Sequence, residues 1–156
     1  MCGTHSIRCH QPGMFAWSAE PILTTPTPVA ADRGSAQVGI VTRTEQTSGA
    51  STVVLGGPTV TVEIRDGFAV HCAGDVLVTT ASATRWYAVA FGARNTGGAV
   101  TVTGASTDAG TGDALAVAIG TPTAVGSTGV KIDVTGIAAT DINYICRLRM
   151  TEILLP

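Results

Sequence analysis

The chain has 156 residues, enough for one domain with a sizeable core. It is apolar (45% hydrophobic, mean hydropathy +0.35) and poor in charge (13%), with a formal net charge of −2 and no basic cluster. This balance gives nucleic-acid binding no electrostatic support, and no uninterrupted apolar run is long enough for a membrane-spanning helix.

Nineteen glycines with frequent Thr, Val and Ala suit short strands joined by turns better than helices. Low charge on an apolar chain also implies surface covered by partner subunits, because a lone monomer rarely exposes large apolar patches. No basic segment followed by an apolar run opens the sequence. Cys2, Cys9, Cys72 and Cys146 are therefore expected as free thiols of a reducing cytoplasm.

Residues 1–35 read as an extended N-terminal arm, and residues 36–156 as the folded domain. Pro12, Pro21, Pro26 and Pro28 interrupt any regular element, and 24–28 favours a polyproline-like path. The arm nevertheless carries Phe15, Trp17, Ile22 and Leu23, which a solvated tail usually lacks. These four are the candidate assembly residues, set either into a neighbouring chain or along the arm's own domain.

Strand signals then recur at near-regular spacing. Segments 37–43 and 52–55 come first, followed by a turn at 56–58. Thr59 to Ile64 alternates, with Val60, Val62 and Ile64 expected inward. Asp66-Gly67 is a hairpin signal leading to strands at 68–72 and 75–80. Segment 85–91 holds Trp86, Tyr87 and Phe91; Asn95 to Gly98 reads as a turn before 99–103. Segments 114–119 and 130–134 precede the last and longest strand. There Ile142, Tyr144, Cys146, Leu148 and Met150 share one face, while Asn143, Arg147, Arg149 and Thr151 share the other. Ile145 is the apolar exception on that second face. The expected fold is all-β, an antiparallel β-sandwich of jelly-roll or immunoglobulin-like type.

No constellation for catalysis emerges, and the chain is not expected to be an enzyme or to carry a cofactor. No Gly-x-Ser-x-Gly elbow or phosphate-binding loop is present. His71 and Cys72 are adjacent on an alternating strand, so they face opposite ways. Cys2, His5, Cys9 and His10 are soft-metal donors, but one short peptide rarely folds four donors around zinc. Only a site shared between symmetry-related arms would make them ligands. Asp108 to Asp113 superficially suggests a calcium loop, yet it reads better as a turn held by Asp side chains on backbone N–H groups. Trp86, with the turns near Asn95 and Asp108, is the candidate surface for a receptor or glycan, since aromatic faces stack on sugars. Arg147 and Arg149 are expected either to pair with Glu63, Glu152 or a neighbouring subunit, or to remain solvated.

Val130 to Ile153, containing Val134-Thr135-Gly136-Ile137-Ala138, Ile142-x-Tyr144 and Thr151-Glu152-Ile153, resembles the C-terminal β-module of tailed-bacteriophage virion proteins. Val53 to Val62 is similar to a preceding hairpin of that module. Tyr144 stands where such modules usually have Trp, Cys146 where they have a small residue, and 68–125 looks like added material. The resemblance implies a structural role in a virion, as a tail-fibre, spike or head-surface protein assembled in the host cytoplasm. It further implies a homotrimer in contact with other virion proteins. A tip module that binds a host-surface glycan is the alternative.

Overall fold

The computed structural model describes residues 14–18, 36–57 and 59–155. Among these the protein is all-β, with no helix. The strands are β1 (Met14–Ser18), β2 (Ala36–Ser48), β3 (Thr52–Val54), β4 (Val62–Glu63), β5 (Phe68–Thr79), β6 (Thr84–Thr96) and β7 (Ala99–Thr107). They continue as β8 (Thr111–Gly112), β9 (Ala118–Ile119), β10 (Thr123–Val125), β11 (Gly129–Lys131), β12 (Asp133–Thr135) and β13 (Asp141–Leu154).

One seven-stranded antiparallel sheet, ordered β1-β2-β13-β5-β6-β7 with β8 on β6, forms the main layer. The last strand lies near its middle. It pairs with β2 along one edge (Leu148 opposite Val41) and with β5 along the other (Cys146 opposite Val76). Period-two alternation carries straight through β13: Ile142, Tyr144, Cys146, Leu148 and Met150 are fully buried, whereas Asn143, Arg147 and Arg149 are exposed. Cross-strand rows extend the inward face, as in Met150–Cys72–Phe91 and Cys146–Val76–Tyr87.

Two three-stranded sheets, β10-β11-β4 and β3-β12-β9, form the second layer over this face. Val62, Val130, Ile132 and Val134 from that layer join the inward residues of β13, β5 and β6 in one apolar core. Polar ties fix the two layers to each other. The Arg43 Nε donates to the Thr61 carbonyl at 2.9 Å, and the Tyr87 hydroxyl donates to the Val117 carbonyl at 3.2 Å. Tyr144 meets Thr47 Oγ1 at 3.1 Å within the main sheet, so its hydroxyl is satisfied where burial demands it.

Several elements differ from the reading of the sequence. Segments 68–72 and 75–80 are one strand, β5, because Gly74 interrupts nothing. A Cβ there would collide with the Arg147 carbonyl oxygen, so the glycine permits a close backbone approach between β5 and β13. Segment 59–64 contracts to the short β4, and Val60 is only half-buried. Thr61 takes the inward position instead, since its Oγ1 accepts the Ile132 N–H at 3.0 Å and its carbonyl accepts from Arg43. Segment 114–119 keeps only β9 as strand. The 95–98 turn narrows to Gly97-Gly98, both with positive φ, as a tight hairpin between β6 and β7 requires.

Candidate functional site: the outer face of the large sheet

The second layer covers one side of the main sheet. The other side carries the outward residues of β2, β13, β5 and β6. Among the described residues the exposed large hydrophobics are Trp86 (47%), Ile145 (44%) and Ile153 (42%), and all three lie on this outer face. Ile145, Leu77 and Trp86 are successive cross-strand partners on β13, β5 and β6, so they form one apolar row. Ile153 sits at the far end of the face, opposite Ala69.

Between these ends the floor of the face is low. Ala73 on β5 and Ala88, Ala90 and Gly92 on β6 project little beyond the backbone. A shallow open depression of about 500 Å³ lies here, bordered by Ile40, Asp75, Arg147 and Arg149. Arg147 faces Asp75 across the β13–β5 ladder, and Arg149 faces Ala73. Neither guanidinium makes an ion pair with a described residue. Glu152, expected as one possible partner, turns inward and pairs with Arg65 instead. The chemistry on offer is burial of apolar area beside two exposed cations.

At the corner where β6 meets β8, Trp86 stands outward while Tyr87 is buried. The adjoining 108–113 turn is held from both sides. Asp108 Oδ1 accepts the backbone N–H groups of Ala88 and Gly110, each at 2.9 Å. Asp113 Oδ2 accepts that of Thr84 at 2.7 Å. The Arg85 guanidinium donates to the Ala109, Gly110 and Asp113 carbonyls, so a protein cation occupies the centre of the turn. Trp86 and Asp108 are both exposed at this end of β6, Trp86 on the outer face and the turn against the inward-phase Arg85 and Tyr87.

Asn95 does not join them. It is 2% exposed, on the inward face near the other end of β6. Its Nδ2 donates to the carbonyls of Ile64 at 2.8 Å and Ser127 at 3.0 Å. The expectation of Asn95 as a receptor contact is corrected by this burial: the amide fastens the second layer and is closed to a ligand.

No family model, curated protein or solved structure matches the chain.

Of the arm residues, Phe15 and Trp17 belong to β1, whose backbone pairs antiparallel with β2 at the sheet edge (Phe15 opposite Ile40, Trp17 opposite Val38). Ile22, Leu23 and the 2–10 cluster of Cys and His lie outside the described residues. His71 and Cys72 face opposite sides, His71 outward and Cys72 into the core. Burial pushes the thiols of both Cys72 and Cys146 well up from their ordinary value, that of Cys146 to about 12. Leu77 and Ile153, which complete the apolar face, escaped the reading of the sequence. Their signal was an apolar residue at the outward phase of a long strand, the same signal that Ile145 gave.

Proposed function

We propose that the chain is a structural component of a bacteriophage virion, of the tail-fibre, spike or head-surface kind, assembling through its β-domain and N-terminal arm. The observation that carries this reading is the exposure of Trp86, Ile145 and Ile153 on one sheet face, Trp86 and Ile145 in a row through Leu77 and Ile153 at the far end, with no described strand over them. Scattered apolar side chains need no explanation, but a shared face of this kind marks a surface that is buried in an assembly. The likeness of 130–153 to phage virion β-modules supplies the particle. Covering these three side chains contributes on the order of 5 kcal/mol at ~25 cal/mol per Å², before the costs of association. The outward Arg147 and Arg149 add register and selectivity to that contact.

The test is the composition of purified tailed-phage particles from cells that express the gene. Mass spectrometry should find the chain at stoichiometric copy number, and Trp86→Asp with Ile145→Asp should remove it while leaving the protein folded. Particles that lack the wild-type chain would contradict the reading.

A second reading, recognition of a host-surface glycan, is favoured by the exposure of the Trp86 ring. Sugar binding on a glycan array, lost in Trp86→Ala, would select it.

A further inference from the structure

The edge of the main sheet carries an interaction of its own. β1 covers only the first part of β2, with Met14 opposite Val41 and Ser18 opposite Gln37. Among the described residues no strand pairs with the 42–48 portion of that edge. An antiparallel pair of this kind is normally closed by about two to five residues. Here β1 ends at 18 and β2 begins at 36, so seventeen residues intervene.

That length is far more than the pairing needs. Extended, it reaches roughly 55 Å, beyond the roughly 40 Å width of a domain of this size. The intervening sequence includes Pro21, Pro26 and Pro28, whose fixed φ and missing N–H disfavour a tight reversal. A strand on such a tether meets the same β2 edge, with the same backbone hydrogen bonds, on its own domain or on an identical neighbour. The choice depends on local concentration. A connection of this length supplies an effective concentration on the order of millimolar, which neighbours packed in an assembly readily match. Exchange of an identical element is accordingly a low-cost route to an oligomer.

We infer that the β2 edge is the docking site for the Met14–Ser18 strand of a second copy of this chain, donated in trans. The inference rests on the assembly reading and deepens it by naming the partner, the edge and the register. It also supplies the arm with a function that its apolar residues alone do not specify.

The register makes the test direct. Paired Cα atoms in an antiparallel ladder lie about 4.5–5.5 Å apart, within the span of a disulfide. In a Cys2→Ser, Cys9→Ser background, a Ser18→Cys chain is co-expressed with a Gln37→Cys chain and then oxidised. A covalent product containing one of each chain is expected as the main species. A single chain carrying both substitutions should likewise yield interchain products. Intrachain disulfide alone, or no disulfide in either experiment, would overturn the exchange. Should circular dichroism find the first pair misfolded, Phe15→Cys with Ile40→Cys reads the same register. Light scattering on the same samples separates the two proposals. An oligomer holding only intrachain disulfides sinks the exchange and leaves the assembly reading standing, whereas a monomer at every concentration sinks both.

Discussion

The Arg65 guanidinium grips the Glu152 carboxylate in a two-point contact, Nη2 to Oε2 at 2.7 Å and Nε to Oε1 at 3.3 Å. Glu152 is only 1% exposed, at an inward position of β13 that is otherwise apolar. Arg65 also lies over the Phe68 ring, 3.9 Å from its centroid. The pair therefore ties the end of the central strand to the loop entering β5. Removing one partner leaves a desolvated charge behind, whereas replacing both leaves a packable site. Glu152→Ala should cost about 3 kcal/mol in urea melts. Arg65→Met with Glu152→Leu should recover most of that loss.

Adjacent residues on β13 should respond in opposite ways. Leu148 is fully buried between Val41 and Gly74, while Arg147 is exposed. Leu148→Asp should destabilise by about 3 kcal/mol or more, from a buried unpaired charge. Arg147→Gln, which sets no like charge opposite Asp75, should stay within about 0.5 kcal/mol. Denaturant unfolding of the two variants checks the face assignment, and similar losses in both would refute it.

Gly74 permits a close backbone approach of β5 to β13. A methyl group there meets backbone, the Arg147 carbonyl, and backbone has little room to yield. Gly74→Ala should cost about 2 kcal/mol or more. The same change at Gly67 meets open space, although its φ of +79° adds strain of its own. Thermal melts of the two should rank Gly74→Ala as the worse.

The thiols of Cys72 and Cys146 are free and buried. Both should resist alkylation in the native protein at pH 8 and react at the rate of unfolding. Burial raises both in the folded state, so the unfolded chain loses these protons first as pH rises. Their protonated form favours folding fully below the unfolded value of about 8.5. Above it stability falls, by about 1.4 kcal/mol per pH unit and per thiol, until the folded thiols themselves ionise. For Cys146 that occurs near 12. Melts at pH 8 and 10 of the wild type and of Cys72→Ala with Cys146→Ala should differ in slope accordingly.

β13, long and paired on both sides, was readable from the sequence, whereas β5, paired equally well, was split in two at Gly74. The inward set of β13 was legible from alternation, as was the opposed facing of His71 and Cys72. The second layer was less legible because its strands are short and stitched by side chains. Thr61 turns inward in place of Val60 because its hydroxyl accepts the Ile132 N–H within the second layer and its carbonyl accepts from Arg43 of the main sheet. Asn95 looked like turn chemistry, but Gly97-Gly98 makes that turn without it, and its amide satisfies two carbonyls inside. The candidate face was half legible. Trp86 and Ile145 stood out singly, but their alignment through Leu77 is a matter of register across three strands, which alternation alone leaves open.

The proposed assembly buries the outer face of the main sheet, on which Trp86 and Ile145 are exposed, between subunits. Light scattering on the purified full chain at tens of micromolar, beside Trp86→Asp with Ile145→Asp, decides whether it does. The wild type should be a defined oligomer, and the variant should have a smaller mass with an unchanged β-type circular-dichroism spectrum. A wild type that stays monomeric, or a variant that assembles as well as the wild type, would contradict it.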